Sequence, residues 1–257
     1  MSLLARLVAE SEAETQSRRS RVSVSDLERL AAAYRPRDFA GALRRPGLAV
    51  IAEMKQRTPS MGVLQEEYRP AHLAELYTRG GAAAISVLTQ GASFGGALDH
   101  IVEVRAQTDL PILRKDFLTD RYQLLEARAA GADAVLLIVA ALEESGLSDL
   151  LAAARELGLA ALVEVHDEHE VDVAVKAGAG IIGVNHRDLR TFEVDLGLTE
   201  RLRNRVPDTV DLVAESGIRG DADARRMREA GAAAVLVGEL LMRTADPAAC
   251  IRELTSA

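Results

Sequence analysis

The chain of 257 residues contains no tryptophan and only 3% aromatic residues, so it lacks the rings on which unpaired nucleobases stack. Positive charge is also in deficit: 31 lysines and arginines face 39 aspartates and glutamates, a formal net charge of -8. A phosphate backbone would be repelled unless a basic face were segregated from the acids, and no basic run occurs. One cysteine, Cys250, cannot close an internal disulfide, which fits a reducing compartment. It reads as a small residue on a C-terminal helix. The longest apolar run, 134–142, is about half of what a membrane-spanning helix needs. The opening MSLLARLVAESEAE has neither the apolar stretch nor the cleavage site of a signal peptide. These absences predict a soluble, cytoplasmic protein that binds neither nucleic acid nor membrane. Monomer is the default, because no strip of exposed apolar residues can be read from the chain.

What is present is a repeated unit. With 48% hydrophobic side chains the chain can fill one large core, and one domain is expected over 1–257. Gly80-Gly81-Ala82, Gly131-Ala132, Gly178-Ala179 and Gly231-Ala232 each precede an apolar run, as a helix end capped by glycine precedes a strand. Eight strand-like runs follow from this reading: 48–55, 83–89, 110–116, 134–140, 159–166, 181–185, 211–216 and 233–238. Helix-length amphipathic segments lie between them. Eight strand-then-helix units predict an α/β fold of the (β/α)8 barrel (TIM barrel) type. A doubly wound sheet is disfavoured because no GxGxxG follows the first strand. Residues 1–47 form no such unit and read as an N-terminal helical extension, with Ser25 or Asp26 as a helix cap. By default it packs as surface structure, and it is long enough to cover the barrel mouth.

The strands end in ionic or amide groups: Glu53 and Lys55, Lys115, Glu164, Asn185, and Glu215 with Ser216. In a barrel these positions converge on the C-terminal face, which makes one pocket built from several strand tips. Glu53 and Lys55 are two apart, hence on one side of their strand; a structural ion pair closing the barrel top is the alternative reading. Alternation turns Lys115 inward and Arg114 and Asp116 outward. Desolvation is expected to lower the Lys115 pKa toward neutrality, making a poised acid, and to make Glu164 a better proton acceptor. On this view, removing Lys115 should change folding little. Asn185 and Arg187 suit a carboxylate or enolic oxygen, or else are a turn residue and a solvated loop charge. Ser216-Gly217 and Gly238-Glu239 follow strands seven and eight, where barrels hold phosphate on backbone N–H groups. The pentad His166-Asp167-Glu168-His169-Glu170 has the look of a metal cluster but opens a helix, and is read as a solvated first turn.

The strings IAEMKQRTPSMG, SVLTQGASFGGALDH, PILRKDF, LLIVAAL, ALVEVHDEHE, GVNHRDL, VAESGIRG and AVLVGELLM resemble, in order, the strand-end motifs of indole-3-glycerol phosphate synthases. The resemblance runs from about residue 48 to the C-terminus. It implies a carboxy-lyase of tryptophan biosynthesis that closes the indole ring of 1-(2-carboxyphenylamino)-1-deoxyribulose 5-phosphate, releasing carbon dioxide and water. It implies no cofactor and no metal. Lys115 takes the place of the general acid on the ribulose carbonyl, and Glu164 that of the acid/base group in the dehydration. Lys55 with Glu53 takes the place of the pair that holds substrate anions. Asn185 and Arg187 match positions near the anthranilate carboxylate and ribulose hydroxyls. Ser216, Gly217, Gly238 and Glu239 match the phosphate loops, and Glu215 belongs to the same segment. Phe94, Phe117, Leu136 and Pro59 match the apolar walls. The chain departs from the pattern at Thr58, Gln90, Ala97 and His186, and the Glu239 carboxylate should turn away from a phosphate. These departures would also suit a duplicated copy in a specialised pathway. Two rivals are a sugar-phosphate isomerase, for which the catalytic cysteine or aspartate pair is missing, and a barrel without turnover that serves as a binding partner.

Overall fold

The computed structural model describes residues 2–59, 61–188 and 190–257; Ser60, which the sequence places in the loop after the first strand, lies outside them. Eight parallel strands close into a barrel: β1 (Ala49–Met54), β2 (Ala84–Leu88), β3 (Ile112–Lys115), β4 (Ala134–Ile138), β5 (Ala160–Val165), β6 (Ile181–Asn185), β7 (Asp211–Glu215) and β8 (Ala234–Val237). Each pairs with its sequence neighbours, and β8 returns to β1 with Ala49 opposite Ala234. Strand starts and ends fall close to the runs read from the sequence. Gly81, Gly131, Gly178 and Gly231 all take positive φ at helix-to-strand joints, where a side chain would be strained.

Alternation sorts each strand into two faces. Outward residues such as Val50, Val87, Val135, Val163 and Ile182 pack beneath the surrounding helices. Inward residues Ile51, Leu113, Leu136, Leu162, Val213 and Leu236 fill the barrel. The uppermost inward layer is different. It holds Glu53, Lys115, Glu164 and Glu215, one from each odd-numbered strand, the pattern by which barrels build four-residue layers. Two glycines make room for it: a Cβ at Gly183 would collide with Oε1 of Glu215, and one at Gly238 with Oε1 of Glu53.

The N-terminal extension closes both ends of the barrel. Helix α3 (Phe39–Leu43) inserts Phe39 and Leu43 among Ala49, Ala134 and Ile181 at the strand starts. Helix α1 (Leu3–Arg19) crosses the opposite face, tied down where Ser11 Oγ donates to Asp116 at 2.9 Å and Arg18 Nε to Glu126 at 2.6 Å. It covers the mouth rather than packing as simple surface structure. Between them α2 (Val24–Ala33) is capped by Ser23, whose Oγ accepts from Asp26 N. The cap therefore lies two residues before the predicted Ser25, because the hydrogen-bonding hydroxyl must precede the first turn. Among the described residues no helix is long and apolar enough to cross a membrane.

Candidate active site

Above the polar layer lies a cleft with two lobes. The larger, about 530 Å³, is polar and bounded by Lys55, Arg187, Ser216, Gly217, Gly238 and Glu239. The smaller, about 140 Å³, is walled by Pro59, Phe94, Phe117, Leu136 and the α1 residues Leu3 and Leu7. Glu53, Lys55 and Lys115 border both lobes. Thr58, Glu164 and Asn185 border the second. Every candidate site residue thus reaches the cleft or, in the case of Glu215, lies directly beneath it. The convergence follows from parallel strands presenting their C-terminal ends to one face.

The charges are arranged around Lys115. Its Nζ lies 3.0 Å from Oε2 of Glu53 and 3.4 Å from Oε2 of Glu215, while Lys55 Nζ pairs with the other oxygen of Glu53. Lys115 is 17% exposed and Glu164 3%, so both face the cleft rather than bulk solvent. Asn185 is tied at both ends of its amide: Nδ2 donates to Glu164 at 3.0 Å, and Oδ1 accepts from Arg187 N at 3.1 Å. That leaves Arg187 between Glu239, 3.6 Å away, and the cleft.

These contacts reverse two expectations about ionisation. Burial draws the Lys115 pKa down, but Glu53, Glu215 and Glu164 face it and turn the net shift upward. Lys115 is a firmly held ammonium, not a near-neutral amine. Burial likewise pushes Glu164 up, yet its ion pair with His166, the Lys115 charge and the Asn185 hydrogen bond bring it to about 2. Glu53 is brought to about 2 by Lys115 and Lys55 against the effect of burial. The raised carboxylate is Glu215, pushed up by burial and by its acidic neighbours, against the pull of Lys115, to about 8. Desolvation acts on all four groups, so the sign is decided by which partner faces which, and a single strand's sequence does not contain that. It also means that Lys115→Ala would strip the buried Glu53 carboxylate of one of its two cations, so folding should not be left unchanged.

The departures from the motif pattern acquire physical roles. Gln90 is fully buried; its Oε1 caps the short helix Gly91–Phe94, and its Nε2 donates to Glu10 of α1 at 3.0 Å. An acid there would meet Glu10 with like charge. His186 is 2% exposed and joins Ser216 O to the Thr199 hydroxyl, at 2.9 and 2.7 Å. It holds the loop in which Ser216 takes φ 68° and Gly217 φ 82°, a left-handed conformation that non-glycine residues adopt at a cost. Ala97 begins the helix Leu98–Arg105 without a side-chain cap. Thr58 Oγ1 accepts from Met61 N at 3.1 Å. Glu239 does not turn away from the cleft: it stands between Arg187 and Arg243, 3.6 and 3.8 Å from them, and borders both lobes.

The chain matches the family profile "Indole-3-glycerol phosphate synthase" over residues 4–254. It belongs to the indole-3-glycerol phosphate synthase family. It is 60% identical over 98% of its length to indole-3-glycerol phosphate synthase 2 of Streptomyces coelicolor, and the match covers 98% of that protein. It is 49% identical to indole-3-glycerol phosphate synthase 1 of the same organism, over 100% of this chain and 96% of the other. A solved thiamine phosphate pyrophosphorylase from Pyrococcus furiosus shares the barrel fold, with a TM-score of 0.62 at 20% identity over 81% of this chain and 94% of that one.

In this member of the synthase family, sequence reasoning missed three contributors. Leu3 and Leu7 complete the apolar lobe; their i, i+4 spacing marks one helical face, but not which surface that face meets. Arg219 and Arg243 add cations to the polar lobe, and Arg243 was discoverable as the i+4 partner of Glu239. His166 is the third. It is not part of a solvated turn, because its Nε2 lies 3.3 Å from Glu164 Oε1, and its position two residues beyond Glu164, at the end of the strand-like run 159–166, was the available signal. The solvated reading holds for Asp167, Glu168 and His169, which are exposed.

Proposed function

We infer that the chain is a carboxy-lyase that closes the indole ring of 1-(2-carboxyphenylamino)-1-deoxyribulose 5-phosphate with loss of carbon dioxide and water. The observation that carries this reading is the position of Lys115 and Glu164 in one cleft whose lobes differ in character, one apolar and aromatic, the other cationic. The substrate has the same two ends, an aryl group and a phosphate. With the aryl ring against Phe94, Phe117 and Leu136, the ribulose carbon skeleton spans the layer of charges. The phosphate reaches the Ser216-Gly217 and Gly238-Glu239 loops, with Lys55, Arg219 and Arg243 near it.

Ring closure interrupts aromaticity, so the carbonyl under attack must be strongly polarised. Lys115 is a preorganised cation in a water-poor site, and its value rises as negative charge develops on the carbonyl oxygen, to which it gives a proton. Loss of the carboxylate then restores the aromatic ring. Glu164 serves the dehydration as the acid/base group, and Asn185 fixes its carboxylate. Glu53 holds Lys55 and Lys115 in place. Lys55 and Arg187 bind substrate anions, Thr58 and Pro59 close the cleft edge, and Glu215 anchors Lys115 from below.

Purified protein given this substrate should develop indole fluorescence; a folded wild-type protein that yields no indole product would overturn the reading. Supply of tryptophan is the role in keeping with the family. A second reading concerns only the pathway: the chain is 60% identical to the synthase numbered 2 and 49% identical to that numbered 1 of one organism, as a specialised copy would be. Growth without tryptophan of a strain lacking its own synthase but carrying this chain decides between them. We place the enzyme in the cytoplasm as a monomer without nucleic-acid partners, a reading supported by the single cysteine and the net charge of -8. Sedimentation equilibrium tests the monomer.

A further inference from the structure

His166 connects the acid/base carboxylate to a different part of the molecule. Its Nε2 lies 3.3 Å from Glu164 Oε1, and its Nδ1 lies 3.1 Å from Glu170 Oε2. The same Glu170 oxygen accepts from His166 N at 2.7 Å, so one carboxylate fixes both ring and backbone. Asp167 caps the helix Glu168–Lys176 by accepting from Glu170 N at 2.9 Å, which holds Glu170 in turn. Behind the ring lies a second cavity of about 620 Å³, bordered by His166, Glu170 and the exposed residues Asp167, Arg190 and Glu193. Among the described residues Asn185 alone borders both this cavity and the substrate cleft. Glu164 therefore has a front, toward substrate, and a back, toward an imidazole that leads to the surface.

The chemistry needs such a back entrance. On the reading under Proposed function, on which this inference rests, a carboxylate leaves as carbon dioxide and a hydroxyl leaves as water. The balance is R–COO⁻ + H⁺ → product + CO2 + H2O, so one proton enters per turnover. On that reading substrate fills the front of the cleft, which Leu3 and Leu7 of α1 also line.

We propose that His166 is a positioning residue and proton donor behind Glu164, anchored by Glu170 and recharged through the second cavity. The imidazolium passes its Nε2 proton to Glu164 Oε1, and Glu164 hands a proton to the departing hydroxyl, which leaves as water; the proton lost from the neighbouring ring carbon as the double bond forms returns to the Lys115 amine, which had given one to the carbonyl oxygen, so one proton enters in net. The neutral ring keeps its Nδ1 proton on Glu170 and takes a replacement from solvent before the next cycle. Burial lowers the His166 pKa, but the ion pair with Glu164 and the contact with the Glu170 carboxylate raise it by more, to about 10, so the ring is charged at neutral pH. The groups facing it are Glu164 on β5 and Glu170 on the following helix; across the second cavity stand His186, Asp188, Arg190, Glu193, Asp195 and Arg201, and among the described residues of the N-terminal segment Ser2 and Leu4 border that edge.

His166→Asn and Glu170→Gln test this in the full-length enzyme. The expected result is a fall in kcat of about 10- to 100-fold for His166→Asn and a smaller fall for Glu170→Gln, with KM within about threefold. The pH profile of kcat should lose its alkaline limb in His166→Asn, and added imidazole should restore turnover in His166→Gly. Unchanged kcat in folded His166→Asn overturns the proposal. So does a loss that imidazole does not rescue and that leaves the shape of the pH profile intact, which marks a structural role. If the histidine variants do not fold, Glu170→Gln decides: an unaltered alkaline limb overturns the proposal, a shifted one supports it. Wild-type enzyme that makes no indole product would instead sink the parent reading, so the two failures are distinguishable.

Discussion

At the scale of single residues, Lys115 shows how environment assigns a role. An isolated buried lysine would lose its proton, but one facing Glu53, Glu215 and Glu164 keeps it, and only the charged form can both polarise and protonate a carbonyl. Lys115→Ala should lower kcat/KM by at least about a hundredfold in the fluorescence assay. It should also destabilise the fold by roughly 3 kcal/mol at neutral pH, because the buried, ionised Glu53 loses one of its two cations. Chemical denaturation checks this, with a smaller loss expected at low pH, where the carboxylates protonate. Glu164→Gln keeps the shape and the Asn185 contact but cannot carry a proton. Turnover should fall by about 10²–10⁴, and unchanged kinetics across pH would remove Glu164 from the mechanism. That Glu164 and Lys115 sit on strand tips was legible in sequence; that their pKa values run opposite to the desolvation rule was not, because their partners lie on other strands.

At the scale of elements, the barrel strands repeat one plan and the extension supplies what the plan lacks. The eight βα units leave an open mouth and an open base, and α1 and α3 fill these with Leu3, Leu7, Phe39 and Leu43. An amphipathic helix announces that it will pack, but not against what. Capping is where the local sequence can still be improved. Ala97 has extended backbone, φ -155° and ψ 151°, at the start of Leu98–Arg105 and offers no side-chain acceptor. Ala97→Ser should add about 0.5–1 kcal/mol of stability with activity retained. A thermal melt beside the activity assay reads both.

At the scale of the whole molecule, a polar layer buried in an apolar barrel makes stability depend on pH in two windows. Glu215 has a folded pKa of about 8, above its ordinary value of 4.5, so the folded state holds the proton more tightly. Its contribution is fully present below about 4.5 and lost as pH rises through about 8, with a slope of up to about 1.4 kcal/mol per pH unit. Glu53 and Glu164, both brought to about 2, act in the opposite sense: their contribution is present above about 4.5 and lost as pH falls through about 2. Glu215→Gln should therefore flatten the decline in stability between pH 5 and 8.5 while leaving acid unfolding in place. Urea titrations at the two pH values measure this, and an undiminished slope would show that Glu215 is not its source.

The sequence by itself determined the number and order of the strands, the glycine joints between helices and strands, and the residues that stand at the strand tips. All of these are encoded within stretches of about ten residues, through alternation, apolar runs and turn chemistry. Tertiary structure decided which strand tips touch, where the N-terminal helices lie, and which carboxylate is left protonated. It also moved His166 and Glu170 out of the solvated turn expected after β5 and placed His166 between Glu164 and a second cavity. Those outcomes depend on distances between residues a hundred or more positions apart, such as Lys115 and Glu215 or Ser11 and Asp116, and electrostatic energy follows distance in space rather than along the chain.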